Sequence, residues 1–329
     1  MDNEISPKQQ KLPRFILKTS AILMVAVGLV AAYYGPLEVY VFYMFSPGGR
    51  FAYEGFSVGT LWFAYLVLQN LGYYLIAVLL LPLGIGTFTL RRWAYTLTRV
   101  VLWLWLGAGM LVSINWAVLV LYQLSANPSD PTTTLRTAVF SSILILFTLV
   151  IPVLLLCLYS RDAVRDIFEI SDPRIYWTER YPFPMLIVLS IILVGILAFH
   201  VALFLQGLYP FFGEIIWGRS GVRWLAGNIL IQLVILFGLI RLKRLALWSA
   251  VIYYSLLCLS AALSFYGRSL ADVFNEMTLP QYELEFLARI KFMNGISMSF
   301  LIIPVVLALL GILIYSRKYF YHTKKKELS

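Results

Sequence analysis

Residues 138–159 read AVFSSILILFTLVIPVLLLCLY, a run without one charged side chain, and Arg161 follows directly after Ser160. A stretch this long reaches across about 30 Å of hydrocarbon at 1.5 Å per residue, whereas a helix buried in a soluble core is typically nearer 10–14 residues. Arginine at its end marks the side that stays in water. The run is therefore predicted to cross a membrane, and the rest of the chain is read in that light.

Seven further runs on either side of it meet the same test: Phe15 to Tyr34, Gly59 to Leu83, Val100 to Tyr122, Met185 to Gln206, Val222 to Ile240, Ala246 to Phe265, and Gly295 to Tyr315. The sixth span, from Val222, is the shortest. Together they predict an all-α fold, a polytopic transmembrane helix bundle of about eight spans. Composition agrees, because 61% of the 329 residues are hydrophobic and 13% charged. Mean hydropathy is +0.83. A water-soluble domain carries about 25% charged residues, so the solvent here is lipid. Sixteen per cent aromatic residues, nine of them Trp, suit a protein with two membrane interfaces to anchor.

The formal net charge is +10. In a soluble protein that excess would suggest nucleic acid; here its position relative to the spans explains it, and no nucleic-acid partner is expected. With the N-terminus inside, nineteen of the 26 basic residues fall in the five cytoplasmic segments and seven outside. Arg91 with Arg92, and Lys243 with Arg244, mark the short 2/3 and 6/7 turns. The expected location is a cell membrane, that of a bacterial plasma membrane, crossed several times with both termini cytoplasmic. Lys8, Lys11 and Arg14 precede the first apolar run as in a signal peptide, but no small-residue cleavage site comes before Tyr33 and Tyr34, so the run reads as a retained helix.

The two halves repeat each other. Gly86, Arg91, Arg92 and Ala94 shifted by 152 fall on Gly238, Lys243, Arg244 and Ala246, and Ile151 and Pro152 fall on Ile303 and Pro304. Tyr159, Ser160 and Arg161 match Tyr315, Ser316 and Arg317 with a shift of 156, about one helical turn more. The division expected is residues 1–170 as a first four-span repeat and 171–329 as a second with a basic tail. Four spans is an even number, so the copies point the same way, an arrangement that some transporters use to build a site between halves and that otherwise doubles a stable unit.

Leu90-Arg91-Arg92-Trp93-Ala94, and one span later residues 158–168, LYSRDAVRDIF, resemble the endings of uncharacterised bacterial four-helix membrane modules. The resemblance covers the first half well and the second in part, since Leu245 stands in place of the Trp and Tyr315 to Phe320 lacks the Asp and Val. It implies a four-helix fold and carries no activity and no site residue with it.

Chemistry-bearing residues are sparse. No Asp, Glu, Lys or Arg lies near the middle of any predicted span, which argues against proton-coupled and many ion-coupled carriers. His200 and His322 fall near opposite surfaces, which excludes bis-histidine haem or a histidine metal site within one chain. His200 reads as a helix-contact residue, with ligand binding or pH sensing as its functional alternative. Cys157 and Cys258 lie inside predicted spans and build neither a disulfide frame nor a metal cluster. No phosphate loop or nucleophile elbow occurs, so no catalytic, cofactor-binding or metal residue is assigned and no cofactor is expected.

Gln69 and Asn70 at the centre of span 2, Asn115 in span 3, and Asn228 and Gln232 in span 6 are expected to face the bundle interior, because an unbonded amide in hydrocarbon costs kilocalories. They serve as helix glue or line a polar path. Arg91, Arg92, Lys243, Arg244, Lys324, Lys325 and Lys326 are the expected lipid-headgroup contacts. Three loops stand out. Residues 35–57 hold Glu38, Arg50 and Glu54 among aromatics as an interfacial cap; 161–184 carry Val164, Ile167 and Phe168 on one helical face with a stop at Asp172 and Pro173; 267–294 carry Tyr282, Phe286, Leu287 and Ile290 at helical spacing, with acids read as a solvated face.

Two functions follow. One is a non-enzymatic membrane subunit or assembly factor, in contact with the bilayer and with a membrane-protein partner or a second copy of itself. The other is a passive channel or uncoupled transporter for a small neutral or lipidic solute. An intramembrane enzyme is the remaining class, and the residues nominate no reactive group for it.

Overall fold

A computed structural model describes residues 7–52, 60–126, 131–277, 279–289 and 298–326. The long helices are α1 (Pro7–Phe45), α2 (Leu61–Phe88) and α3 (Arg92–Ala126), then α4 (Pro131–Ile145) running through a π turn (Leu146–Val150) into α5 (Ile151–Tyr159). Short helices α6 (Asp162–Ser171) and α7 (Trp177–Arg180) lead to α8 (Phe183–Phe204). A hairpin of β1 (Tyr209–Phe211) and β2 (Glu214–Ile216) precedes α9 (Gly218–Ile240) and α10 (Arg244–Phe265). The chain ends with α11 (Leu270–Asn275), α12 (Gln281–Arg289) and α13 (Met298–Lys326). Among the described residues eight helical stretches are long and apolar enough to cross a membrane, as the hydrophobic runs predict.

Several boundaries differ from the sequence reading. Helix α1 continues past Gly35 and Pro36 to Phe45, so Glu38 lies on a helix and not in an interfacial loop. In hydrocarbon a proline costs little where the turns around it stay packed. Helix α2 starts at Leu61 and ends at Phe88, which puts Gln69 and Asn70 little more than two turns from its start and not at its centre. The sixth span begins at Gly218 because Arg219 and Arg223 do not stop a helix at the membrane edge; it is not the shortest. Where the sequence suggests one short helix between Gly267 and Asn294, the described residues form two, α11 and α12, and Ile290 lies outside the described residues. Alternation over residues 209–216 is too brief to announce the hairpin. Its two-residue turn, Phe212 and Gly213, has φ of 41° and 103°, the pairing that suits a right-twisted hairpin.

Proline explains the π turn. Pro152 has no N–H to offer the Thr148 carbonyl, and Ile151 N–H reaches back five residues to Leu146 O. The Thr148 carbonyl lies against α3 at Gly109, where a Cβ would come within 2.2 Å of it. Only glycine fits there.

The turns after α2 and α9 share one geometry. Arg91 N–H bonds Gly86 O at 2.7 Å and Leu90 N–H bonds Thr87 O at 3.1 Å; Lys243 N–H bonds Gly238 O at 3.1 Å and Leu242 N–H bonds Leu239 O at 2.9 Å. Both are Schellman caps, and the left-handed position that usually takes glycine holds Leu90 at φ 53° and Leu242 at φ 50°. Each leucine packs against the apolar core of its own unit. Contact with that core offsets a strain of about 1–2 kcal/mol. A Cβ on Gly86 would sit 2.7 Å from Ala94 Cβ, and one on Gly238 would sit 2.5 Å from Ala246 Cβ. Of the residues that match at a shift of 152, the glycine and the alanine are the pair that this turn brings into contact.

The chain divides into two compact units that interleave along the sequence, one of residues up to Ala52, Leu66–Met110 and Leu144–Phe183, the other of Tyr53–Tyr65, Leu111–Ile143 and everything from Pro184. In the first unit Val164, Ile167 and Phe168 of α6 are buried with Leu17, Tyr95 and Tyr159, and the Tyr95 hydroxyl donates to Tyr159 O at 3.0 Å. In the second, α8, α9, α10 and α13 bury Met185, Ile192, Leu239, Leu247, Tyr254 and Leu313. Ser260 and Ser264 of α10 hold the hairpin by accepting the N–H groups of Phe212 and Gly213 at 3.0 and 3.1 Å.

Replacing Gly109 with alanine forces its methyl into the Thr148 carbonyl and should lower stability by about 1–3 kcal/mol. A thermal melt in detergent showing a fall of several degrees for Gly109→Ala, and a smaller change for Gly107→Ala, where open space surrounds the position, checks this.

Candidate functional site

The sixth-span amides form a buried polar cluster in the second unit. Asn228 and Gln232 lie four residues apart on one face of α9 and are both buried, Gln232 to within 1% of full burial. Asn228 Nδ2 donates to Trp224 O at 2.7 Å, and its Oδ1 accepts the Tyr253 hydroxyl at 2.8 Å. Gln232 Nε2 donates to the Tyr253 oxygen at 3.3 Å, and its Oε1 accepts the Tyr254 hydroxyl at 3.2 Å. Gly195 of α8 comes close enough for a Cβ to meet Gln232 Oε1 at 3.4 Å. Amide and phenol groups thus satisfy one another inside the helix stack. The nearby groove of about 380 Å³, lined by Leu230, Val234, Ile235 and Tyr253 among others, is open and almost wholly apolar.

The other amides take local partners. Gln69 Nε2 donates to Glu38 Oε1 at 3.3 Å and to the Tyr73 hydroxyl at 3.0 Å, joining α1 and α2. Asn70 donates to Leu66 O at 3.0 Å and Asn115 to Leu111 O at 2.8 Å, each within its own helix. Asn70 Oδ1 is buried without a partner. His200 is exposed, and its ring Nδ1 lies 2.8 Å from Ile196 O, one turn back on the same helix.

The basic residues behave differently at the two turns. Arg92 Nε pairs with Glu179 at 2.7 Å and its Nη2 with Glu169 at 3.4 Å; Arg91 Nη1 lies 3.7 Å from Asp172. Arg165 also pairs with Glu169 at 2.7 Å. Asp172, buried but for 3% of its surface, accepts the Tyr176 hydroxyl at 2.9 Å and the N–H groups of Arg92 and Arg174 at 3.4 Å. It therefore caps the start of α3, where the helix dipole favours a carboxylate. At the second turn Arg244 Nε donates to Phe320 O at 3.0 Å, and Lys243 is exposed. Lys324, Lys325 and Lys326 end α13, and their side chains lie outside the described residues.

Two carboxylates escaped the sequence reading. Asp172 was expected only to stop a helix. The acids of 267–294 read in sequence as a solvated face, yet Glu283 is buried to 2% exposure and accepts Leu61 N–H with both oxygens at 3.1 and 3.0 Å, closing the start of α2 from α12. No local pattern pairs residues 222 positions apart. The spacing of Asn228 and Gln232 was legible as one face, but nothing in the run identified Tyr253 and Tyr254 as their partners.

No family model, no curated protein and no solved structure matches this chain. Its class rests on its own physics: among the described residues eight helices are long and apolar enough to cross a membrane, which makes it a multi-pass integral membrane protein.

Burial pushes the Asp172 carboxyl up, but the bonds from Tyr176, Arg174 and Arg92 and the charge of Arg91 together hold it below its ordinary value. Burial leaves Glu179 above its ordinary value despite Arg92. A carboxyl depressed in the fold stabilises it while ionised, so the Asp172 contribution is present above the unfolded value of about 4 and is lost as pH falls through the lower folded one. Glu179 has the opposite sign, and its protonation relieves a cost. The Asp172→Asn protein should melt below the wild type at pH 7, and the gap should close as the pH is taken under about 4. Melting curves against pH read this directly; a constant gap would assign the contact to packing alone.

Proposed function

We propose that this protein is a non-catalytic membrane subunit or assembly factor that packs against another membrane protein along its fourth span. The observation that carries the reading is how little of that span the chain itself covers. Only 11% of its most apolar stretch is buried, against 22–33% for the other seven. Leu135, Val139, Phe140, Ile143, Ile145 and Phe147 are all exposed around it. Between them Ala138 and Ser142, also exposed and one turn apart, give the small side chains over which membrane helices approach closely. The π turn at Leu146–Val150 sits on the same span, an irregularity that clusters at functional positions.

The intramembrane amides support the same reading. Their described bonds close inside one helix or between packed neighbours, and the groove between α1 and α2 and the one beside Tyr253 are apolar, so neither supplies the polar lining a solute path uses. Both basic turns facing the cytoplasm, two parallel four-span repeats, and Lys243 with the three C-terminal lysines at lipid headgroups complete the proposal. It is the basic-residue asymmetry of the sequence that supports them.

Photo-crosslinking in native membranes tests the partner. A benzophenone side chain at Leu135 or Ile145 should give a protein adduct of one mass, while the same group at Val234 of α9, exposed to 72%, should give lipid adducts. Lipid adducts at all three positions, with a monomeric particle in mild detergent, would overturn it.

A further inference from the structure

On α1 an apolar groove and a cation meet. Between α1 and α2 runs an open groove of about 410 Å³ lined entirely by apolar side chains. Its shape follows from residue size. Ala21 and Ala26 leave a trough on α1, and Leu29, Ile85 and Phe88 stand around it. The helices come this close because Gly28 and Gly84 carry no side chain: a Cβ would meet Leu81 at 2.8 Å from the first and Val25 at 2.7 Å from the second.

From Ala21 to Leu29 the trough rises about 12 Å, close to the depth of one bilayer leaflet, about 15 Å. Lys18 lies one turn before it on the same helix, with Nζ 5.8 Å from the centre of the Phe88 ring, within cation–π range of the groove wall. Arg14 is one turn further toward water, on the same face by its spacing of four. Among the described residues no carboxylate pairs with Lys18. The one acidic residue of α1, Glu38, lies toward its other end, and α2 has none. The mouth of the groove is therefore positive, and its length is hydrocarbon.

We infer that this groove holds one anionic phospholipid, an acyl chain lying along Ile22, Ala26 and Leu29 and the headgroup phosphate at the Lys18 ammonium. The occupant follows from the two chemistries together. A tail alone would leave the ammonium without a counter-charge at the headgroup level, and a free phosphate would leave the trough unfilled; a lipid with net negative headgroup answers both. The inference is independent of any partner at the fourth span, which lies on other helices.

Native mass spectrometry of the full chain in detergent, titrated with phosphatidylglycerol or phosphatidylcholine, tests it. One phosphatidylglycerol should be retained with about fivefold preference over phosphatidylcholine, the factor that one lysine at a headgroup supplies. Lys18→Gln should abolish the preference and leave phosphatidylcholine binding unchanged. Ala26→Phe, on an exposed position of the trough, should weaken both lipids, and the melting temperature of each variant reports that it is folded. Equal retention of the two lipids by the wild type, or an unaltered preference in Lys18→Gln, would overturn the site. Displacement of the lipid by inorganic phosphate alone would also overturn it, in favour of a simple anion site.

Discussion

Hydrocarbon offers no hydrogen bonds, and a polar group that this chain carries into it is costly unless it finds a partner within the protein. That constraint accounts for the form of the helices and for the irregularities in them. Pro152 removes one backbone donor, the helix answers with a π turn, and the displaced Thr148 carbonyl is accommodated by Gly109 on the neighbouring helix. Asn228 and Gln232 are bound by Tyr253 and Tyr254 for the same reason. Glu38 and Gln69 join their helices on like terms.

The ends of the helices follow a second rule, that the last carbonyls and first amides also need partners. At the turns after α2 and α9 the answer is the same Schellman cap, with a leucine accepting left-handed strain because its side chain reaches the core. At the starts of α2 and α3 the answer comes from far along the chain, through Glu283 and Asp172. These carboxylates tie α12 to α2 and the α6–α7 segment to α3. They make the extramembrane segments part of the scaffold.

The spans were legible because hydrophobic length is a strong signal that depends on little else; the run at residues 138–159 needs no neighbour to be read. Gly86, Arg91, Arg92 and Ala94 were legible as a recurring pattern, though not as a turn, since the contact between Gly86 and Ala94 exists only once the chain has folded back. Helix ends were harder. Gly35 and Pro36 read as a loop in sequence, but in a lipid-packed helix the chain continues through them to Phe45. Of the polar residues, Asn228 and Gln232 declared a shared face through their spacing of four. Asn70 and Asn115 declared nothing, because an amide that bonds its own preceding turn looks the same in sequence as one that reaches across. Glu283 was misread as solvated for want of any local sign that a helix start lay against it.

Single-cysteine labelling measures the sidedness on which the whole account rests. In a chain with Cys157 and Cys258 replaced by alanine, Pro47→Cys, Thr89→Cys and Lys243→Cys are treated in intact cells with a membrane-impermeant maleimide. Pro47→Cys should react at once, and Thr89→Cys and Lys243→Cys only after the membrane is opened. Reaction of one turn from outside while the other stays protected would contradict it.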